Sequence, residues 1–537
     1  MESVKQVELT INDRKMKVAA GTTVFQAADK AGIFIPHFCY HPDLTIAGCC
    51  RMCLVEIKGM PKLAISCNTP VSEGMVVQTE SPKVKDAVKA VLELQLINHP
   101  LDCPICDKAG ECRLQDNYAR YDLQASRMQY EKGHKPKVMD LGPLVLDAER
   151  CVLCARCVRF TAEVTKTNEL AIYNRGDRST VGTYNNQPFT NHYTGNLADM
   201  CPVGGLTAKD FRFQMRVWFL QKVQSVCTLC ARGCNTLVSV NQSRMQLYRI
   251  EPRRNPSVNK SWMCDTGRWD YHYVYDNSRI KTPVRHEDGR LVEKPWLEWL
   301  TETKEGVNRD PKGVLIAIST QATNEEIVDC VQGLRALGVE NFCWIVDEAV
   351  VGETQPYDGV LRHRDLTANA SGFLKLALGL QIERYHYADV KKLFEQGRLK
   401  QVLILGLEGK VGAWVSSFMA AIPRDVEVTV HATNVSPYFE SARWWIPNVS
   451  SFEKSGTVVN ALGRVQKLQA VIPPQHTARN IHEIVLGLAQ GHDRISLPKA
   501  HAENLFEAHV SARLLGRPVN WRELDPLGEN LASEGVA

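Results

Sequence analysis

The chain of 537 residues has little net charge, no long apolar run and almost no cysteine in its second half. A formal charge of +4 is small for this length and argues against nucleic acid as a main partner. The longest apolar runs, such as "GVLIAI" and "QVLILGL", are far too short to span a bilayer. The opening "MESVKQVELTIND" lacks the charged region, apolar stretch and cleavage site of a secretory signal, so a reducing cytoplasm is expected. No GxGxxG follows a strand, and there is no P-loop and no exact internal repeat. The sequence thus offers no nicotinamide, flavin or quinone site of its own.

What it has is cysteine, 18 in all, and only Cys330 and Cys343 lie beyond Cys264. In a reducing compartment so many thiols point to metal rather than to disulfides. Their uneven placing predicts a cofactor-holding arm joined to a conventional folded region. At 44% apolar, a chain of this length divides into several domains.

The first group is Cys39, Cys50, Cys53 and Cys67. Before it, Val7, Leu9 and Ile11 alternate with polar residues and "NDRK" turns the chain back, a hairpin signal. Thr23-Val-Phe-Gln26 is a capping box opening a short helix that stops at Gly32. Hairpin, helix and Cys-rich loop are how a β-grasp [2Fe-2S] ferredoxin begins, and soft thiolates suit its irons. A zinc loop is the alternative, although zinc sites usually pair two close CxxC units. Cys49 fits no spacing and is left out.

"CVLCARC" supplies Cys151, Cys154 and Cys157, and Cys201 in "MCPVGG" is read as closing the same set. This CxxCxxC run with a distant Cys-Pro resembles a bacterial ferredoxin. "CTLCARGC" supplies Cys227, Cys230 and Cys234, with Cys264 in "WMCDTGR", the [4Fe-4S] pattern that starts molybdopterin oxidoreductases. Taken singly, either of these two sets could hold zinc. "HPLDCPICDKAGEC" supplies only Cys103, Cys106 and Cys112, one ligand short. Ser81-Pro82 opens a helix with Val84, Val88, Val91 and Gln95 on one face, and Pro100 forces it to stop. His99 therefore sits at a rigid chain exit just before Cys103. The residues alone leave it either the missing ligand or a capping or surface histidine.

The order of these groups, with "FCYHPDLTIAGCCRMCLVE", "HPLDCPICDKAGEC", "ERCVLCARCVRF" and "GTVVNALGRVQ", resembles the large iron–sulfur subunit of respiratory complex I. The resemblance is dense to about residue 300 and thin beyond. It implies a [2Fe-2S] cluster on the Cys39 set and a His99-ligated [4Fe-4S] cluster with Cys103, Cys106 and Cys112. It implies another [4Fe-4S] cluster on the Cys151 set, and an extra one, off the main path, on the Cys227 set. The expected architecture is α+β and multidomain: a β-grasp domain over 1–80, a [4Fe-4S] domain with one histidine and three cysteine ligands over 81–122 and a ferredoxin-like domain over 123–219. A molybdopterin-oxidoreductase-type cluster domain over 220–275 and a degenerate molybdopterin-oxidoreductase-like α/β domain over 276–537 complete it.

In the back half, "GVLIAIS" and "QVLILGL" read as buried strands and "NEEIVDCVQGLRALG" as an amphipathic helix ending at Gly338. Cys330 and Cys343 fall within apolar patterns and are expected in the core. Members of the family usually run longer than this chain. Where related molybdopterin enzymes carry a Lys two residues past the fourth cysteine, this chain has Thr266. Nor are "STQATNEE" and "EGKVGAW" Gly-rich phosphate loops, so no molybdopterin is expected.

The resemblance implies an electron-transfer subunit of a proton-pumping NADH:quinone oxidoreductase. Its expected partners are a flavin/NADH-binding subunit, a ferredoxin-like iron–sulfur subunit and other peripheral-arm subunits. It would lie on the cytoplasmic face of the inner membrane and touch the membrane only through partners. The alternative is the diaphorase arm of a cytoplasmic NAD-linked hydrogenase or formate dehydrogenase. A third possibility is a zinc-rich scaffold with no redox role.

Overall fold

The structure, a computed structural model, describes residues 5–121, 126–346, 349–382, 392–409, 411–493, 497 and 500–532. Lys410 of "EGKVGAW" and the expected boundary at 122/123 lie outside the described residues. By its internal contacts the chain divides into two compact units, Met1–Leu220 and Gln221–Ala537.

The first unit begins with the expected hairpin, Gln6–Ile11 against Arg14–Ala19. Asn12 and Asp13 both take positive φ (47° and 64°), the turn hand that matches strand twist. The capping box forms at helix Val24–Lys30, and Gly32 follows at φ 68°. Strand Met75–Gln78 inserts parallel to the first strand and antiparallel to Leu54–Ile57. The result is a five-stranded mixed sheet ordered second, first, fifth, third, fourth along the chain. Val7, Leu9, Ile11, Val24, Phe25, Val55 and Val77 fill the core between sheet and helix.

Helix Pro82–Leu96 starts at Ser81, whose hydroxyl accepts from the Val84 amide. Its buried row is Val84, Val88 and Leu92, whereas Val91 and Gln95, expected on that face, are half-buried. The contact row follows the i, i+4 ridge, so the next residue on it after Val88 is Leu92. A small antiparallel sheet of Met139–Asp140, Leu144–Leu146 and Leu206–Ala208 frames the third cysteine group.

The second unit is mixed α/β. Five parallel strands run in the order Trp444–Pro447, Glu427–Ala432, Gln401–Leu407, Val314–Ser319, Asn341–Ile345. The hairpin Val284–Glu287 and Arg290–Glu293 extends one edge antiparallel. Both faces of this sheet are covered. Val314, Ile316 and Ile318 enter one core with Leu403 and Leu405, while Leu315 and Ala317 enter another with Val402 and Ile404. That is why the two strands read as unbroken apolar runs. Helix Asn324–Ala336 ends as expected, with Gly338 at φ 89°. Cys330 and Cys343 are fully buried in these cores.

Residues 221–275 pack within this second unit. Their antiparallel sheet, Gln221–Val226, Asn235–Asn241 and Gln246–Pro252, is tied to later chain by Gln466, which donates to the Gly233 carbonyl (3.0 Å). Asn255 similarly donates to the Leu527 carbonyl (2.8 Å). Among the described residues, no helix is long and apolar enough to cross a membrane.

Candidate iron–sulfur sites

In the first unit the sequence places its thiols on loops, and the fold gathers those loops. Cys39, Cys50, Cys53 and Cys67 are all buried. Cys49, Cys50 and Cys67 lie beside Cys39 and hold its thiol far below the usual range. Cys53 pairs in the same way with Cys67. The four expected ligands thus come together. So does Cys49, which fits no cluster spacing and whose thiol also points to the Cys154 carbonyl at 3.7 Å.

The third set lines one apolar cavity. Cys151, Cys154, Cys157 and Cys201 face it together with Leu146 and Val203. Leu153 and Ala155 take left-handed backbone (φ 52° and 56°), a rare setting for side-chain-bearing residues that wraps the loop tightly. Gly205 completes the wrap, since a Cβ there would lie 3.3 Å from the Cys151 Cα.

The second set sits beside the third. The Arg113 amide, next to Cys112, donates to the Pro202 carbonyl at 2.9 Å. Gly204 allows a closer approach: a Cβ there would meet the Cys106 sulfur at 2.3 Å. Arg216 holds the loop from the other side through the carbonyls of Cys106 (2.7 Å) and Pro104. His99 follows the helix end, with its amide donating to the Leu96 carbonyl at 3.3 Å. Burial, with Lys132 and Arg150 nearby, pulls its imidazole down to about 4. A neutral imidazole at neutral pH has the lone pair that a metal ligand needs.

These sets share one core. Cys39, Cys50, Cys112 and Cys154 are packed there with Phe38, Met52, Val88 and Leu114, and Cys201 lies against them. Two arginines on helix Arg156–Glu163 tie the first set to the third. Arg156 donates to the carbonyls of Met200 (2.9 Å) and Tyr40, and Arg159 to those of Cys39 and Thr45. The cysteine spacing carried no sign of either contact.

The fourth set belongs to the second unit. The Cys227 amide donates to the Cys234 carbonyl at 2.8 Å. The Gly267 amide donates to the Cys264 sulfur at 3.3 Å, and a Cβ at Gly267 would sit 3.0 Å from the Cys227 sulfur. Thr228 is bonded to Ser451 (2.9 Å), which anchors the loop on the chain that follows the parallel sheet.

The donor sets fit iron–sulfur clusters. Burial pushes Cys151 and Cys264 up to about 12 and Cys112 to about 11. Without a cation such pockets disfavour thiolates, so binding iron there must displace protons and couples to folding.

Four family models match in chain order. Residues 4–82 match the 2Fe-2S iron-sulfur cluster binding domain, and 89–127 the NADH-ubiquinone oxidoreductase-G iron-sulfur binding region. Residues 142–207 match the NADH-quinone oxidoreductase subunit 3, ferredoxin-like domain. Residues 220–272 match the NADH-ubiquinone oxidoreductase NDSU1/NuoG-like, 4Fe-4S domain. The G subunit of the NADH-quinone oxidoreductase of Rickettsia conorii is 38% identical over 338 residues, covering 63% of this chain and 50% of that protein. The mitochondrial NADH-ubiquinone oxidoreductase 78 kDa subunit of Neurospora crassa is 40% identical over 342 residues (63% and 45%). The corresponding G subunit of Streptomyces coelicolor is 41% identical over 315 residues (58% and 37%). The chain thus spans about half or less of the length of these relatives.

Proposed function

We propose, for a chain whose four iron–sulfur regions resemble those of the NADH-quinone oxidoreductase large-subunit family, that it conducts electrons within an NADH:quinone oxidoreductase. Cys39, Cys50, Cys53 and Cys67 hold a [2Fe-2S] cluster, and His99, Cys103, Cys106 and Cys112 a [4Fe-4S] cluster. Cys151, Cys154, Cys157 and Cys201 hold a second [4Fe-4S] cluster, and Cys227, Cys230, Cys234 and Cys264 a third. When bound, these groups supply one-electron carriers.

The observation that carries this reading is the shared core, which sets three ligand groups against one another. The chain's own residues do the rest. Apolar walls exclude water, Gly204 lets its loop close on the Cys106 sulfur and Gly205 on the Cys151 backbone, and Arg113, Arg156 and Arg159 place positive charge beside thiolates. Burial, hydrogen bonds and nearby charge are the means by which a protein sets cluster potential. Electrons enter from a flavoprotein subunit near the first two sets and leave from the Cys151 set toward a smaller ferredoxin-like subunit. The back domain is a cofactor-free relative of the molybdopterin oxidoreductases and serves in packing.

Anaerobic co-purification of the tagged chain from its own cells tests this. Membrane subunits, a flavoprotein and about 14 irons per chain are the expected result. A nickel or molybdenum subunit in their place would move the chain to the diaphorase arm of a hydrogenase or formate dehydrogenase. Zinc with almost no iron would end both readings.

A further inference from the structure

Far from the four cysteine sets in sequence, three helices of the second unit bring two imidazoles onto one carboxylate. His482 Nδ1 lies 2.7 Å from Asp329 Oδ2, and His501 Nε2 lies 3.4 Å from the same oxygen. The two rings meet edge to face with centroids 4.9 Å apart. The donors come from helix Asn324–Ala336, helix Ile481–Gln490 and helix His501–Leu505. All three donor atoms lie within 4.8 Å of one another, the spread that a single ion can bridge.

The packing explains the convergence. A Cβ at Gly333 would stand 2.2 Å from a Val485 methyl, so the glycine lets the first two helices cross closely. Asp329 is one turn before Gly333, and His482 nearly one turn before Val485, so their side chains meet beside the crossing. The His482 side chain is 5% exposed, while Asp329 (23%) and His501 (27%) leave one side open to solvent. Glu326, one turn earlier on the Asp329 helix, is already occupied by Lys454 at 2.9 Å.

We propose that Asp329, His482 and His501 form a site for a divalent transition-metal ion, zinc above all, with water in the remaining position. Two imidazoles and one carboxylate are a borderline donor set that suits zinc and not calcium or magnesium, and three protein ligands leave a fourth place open. The site is a fastening. His501 opens the segment whose Phe506, Val510 and Leu514 fill the core, so an ion there pins this segment to two helices. It is independent of the iron–sulfur reading.

The test uses the full chain with its iron–sulfur clusters loaded, so that the cysteines are engaged. After chelator treatment, zinc alone is added, excess is removed by gel filtration, and zinc and iron are counted in the same sample. About one zinc per chain is expected, with an X-ray absorption shell of nitrogen and oxygen near 2.0–2.1 Å and no sulfur at about 2.3 Å. Exchange protection of residues 500–515 should rise with it. His501→Gln, the more exposed ligand and so the milder change, should lose the zinc and the added protection with iron unchanged. His482→Gln should do the same if it folds. No retained zinc in the folded wild type, a sulfur shell, or undiminished zinc in His501→Gln would overturn the proposal and leave a hydrogen-bonded clasp.

Discussion

The two units solve the problem of a stable interior with different materials. In the second, the core is aliphatic and aromatic: parallel strands such as Val314–Ser319 and Gln401–Leu407 are buried throughout, and helices cover both faces. In the first, apart from the small sheet-and-helix core, the interior is built around thiols. Cys39, Cys50, Cys112 and Cys154 are themselves core residues there, and the elements around them are short. Where burial raises the thiols, as at Cys112 and Cys154, such a pocket disfavours its own thiolates until a cation is bound. A unit of that kind depends on its cofactors, whereas a regular α/β layer does not.

Removing the iron should therefore produce the largest and most lopsided effect. Anaerobic chelation under reducing conditions is expected to bring the amides of 82–121 and 139–208 close to solvent exchange rates. The strands at 314–319 and 401–407 should keep their protection. Hydrogen exchange read by mass spectrometry checks this, and an equal loss in both units would erase the distinction.

Next in size are single changes at the second ligand set. Gly204→Ala puts a methyl group where the Cys106 sulfur sits, so the ligand must leave its place and about four of some 14 irons should be lost. His99→Ala should make the same cluster labile, and His99→Cys should keep it and lower its potential, because thiolate adds negative charge that imidazole does not. Iron analysis and a redox titration followed by electron paramagnetic resonance distinguish the three. Full occupancy and an unchanged signal in His99→Ala would make His99 a helix-end residue and send the search for a fourth ligand elsewhere.

In the α/β layer of the second unit, outside the Cys227 set, the sensitive points are buried charges rather than ligands. Lys454 and Glu326 pair at 2.9 Å with almost no exposure of either. Burial alone would raise the Glu326 carboxyl, but Lys454, helped by His482, reverses this and holds it down at about 2. Lys454→Met leaves that carboxylate uncompensated and should cost about 3–5 kcal/mol. Denaturant unfolding followed by a probe in this unit would register the loss, with iron content unaltered. A loss below about 1 kcal/mol would mean that water reaches the carboxylate.

Much of this was legible in the sequence, and the illegible part has a common cause. The hairpin at Asn12-Asp13, the caps at Thr23 and Ser81, the two buried strands and the helix ending at Gly338 rest on local chemistry, and all appear. Cysteine spacing proposes the four groups because a loop around a cluster fixes how many residues separate its ligands. It could not reveal Gly204 against Cys106, Arg159 on the Cys39 carbonyl, or Asp329 beside His482 and His501. Those meetings join residues some 100 or more positions apart, and no period or spacing encodes them. "CPVGG" did offer a hint, since paired glycines after a ligand often mark close backbone approach. The buried row on helix Pro82–Leu96 went to Leu92 because the contact keeps to the i, i+4 ridge that Val84 and Val88 begin.

The smallest effect gives the most direct comparison, because the same device occurs in both units. Thr23 accepts from the Gln26 amide at 3.2 Å, and Gln26 returns the bond to the Thr23 amide at 3.0 Å. Thr323 accepts from the Glu326 amide at 3.2 Å, and Glu326 answers the Thr323 amide at 2.9 Å. Replacing either threonine by alanine removes one cap, worth about 0.5–2 kcal/mol. Thr23→Ala should fall near 1 kcal/mol, since its helix is a short one of 7 residues with a neutral partner. Thr323→Ala should lie nearer 2 kcal/mol, because Thr323 is fully buried and the orphaned amide finds no water. Iron should separate the two further. Thr323→Ala should cost the same with or without clusters. Thr23→Ala should shift unfolding of the loaded first unit and become harder to detect once chelation has loosened the Cys loop that follows its helix. Urea melts of both variants, each loaded and iron-free, measure the four values. If Thr23→Ala costs the same in both states, the sheet-and-helix part of the first unit stands without its irons, and cofactor dependence is confined to the loops.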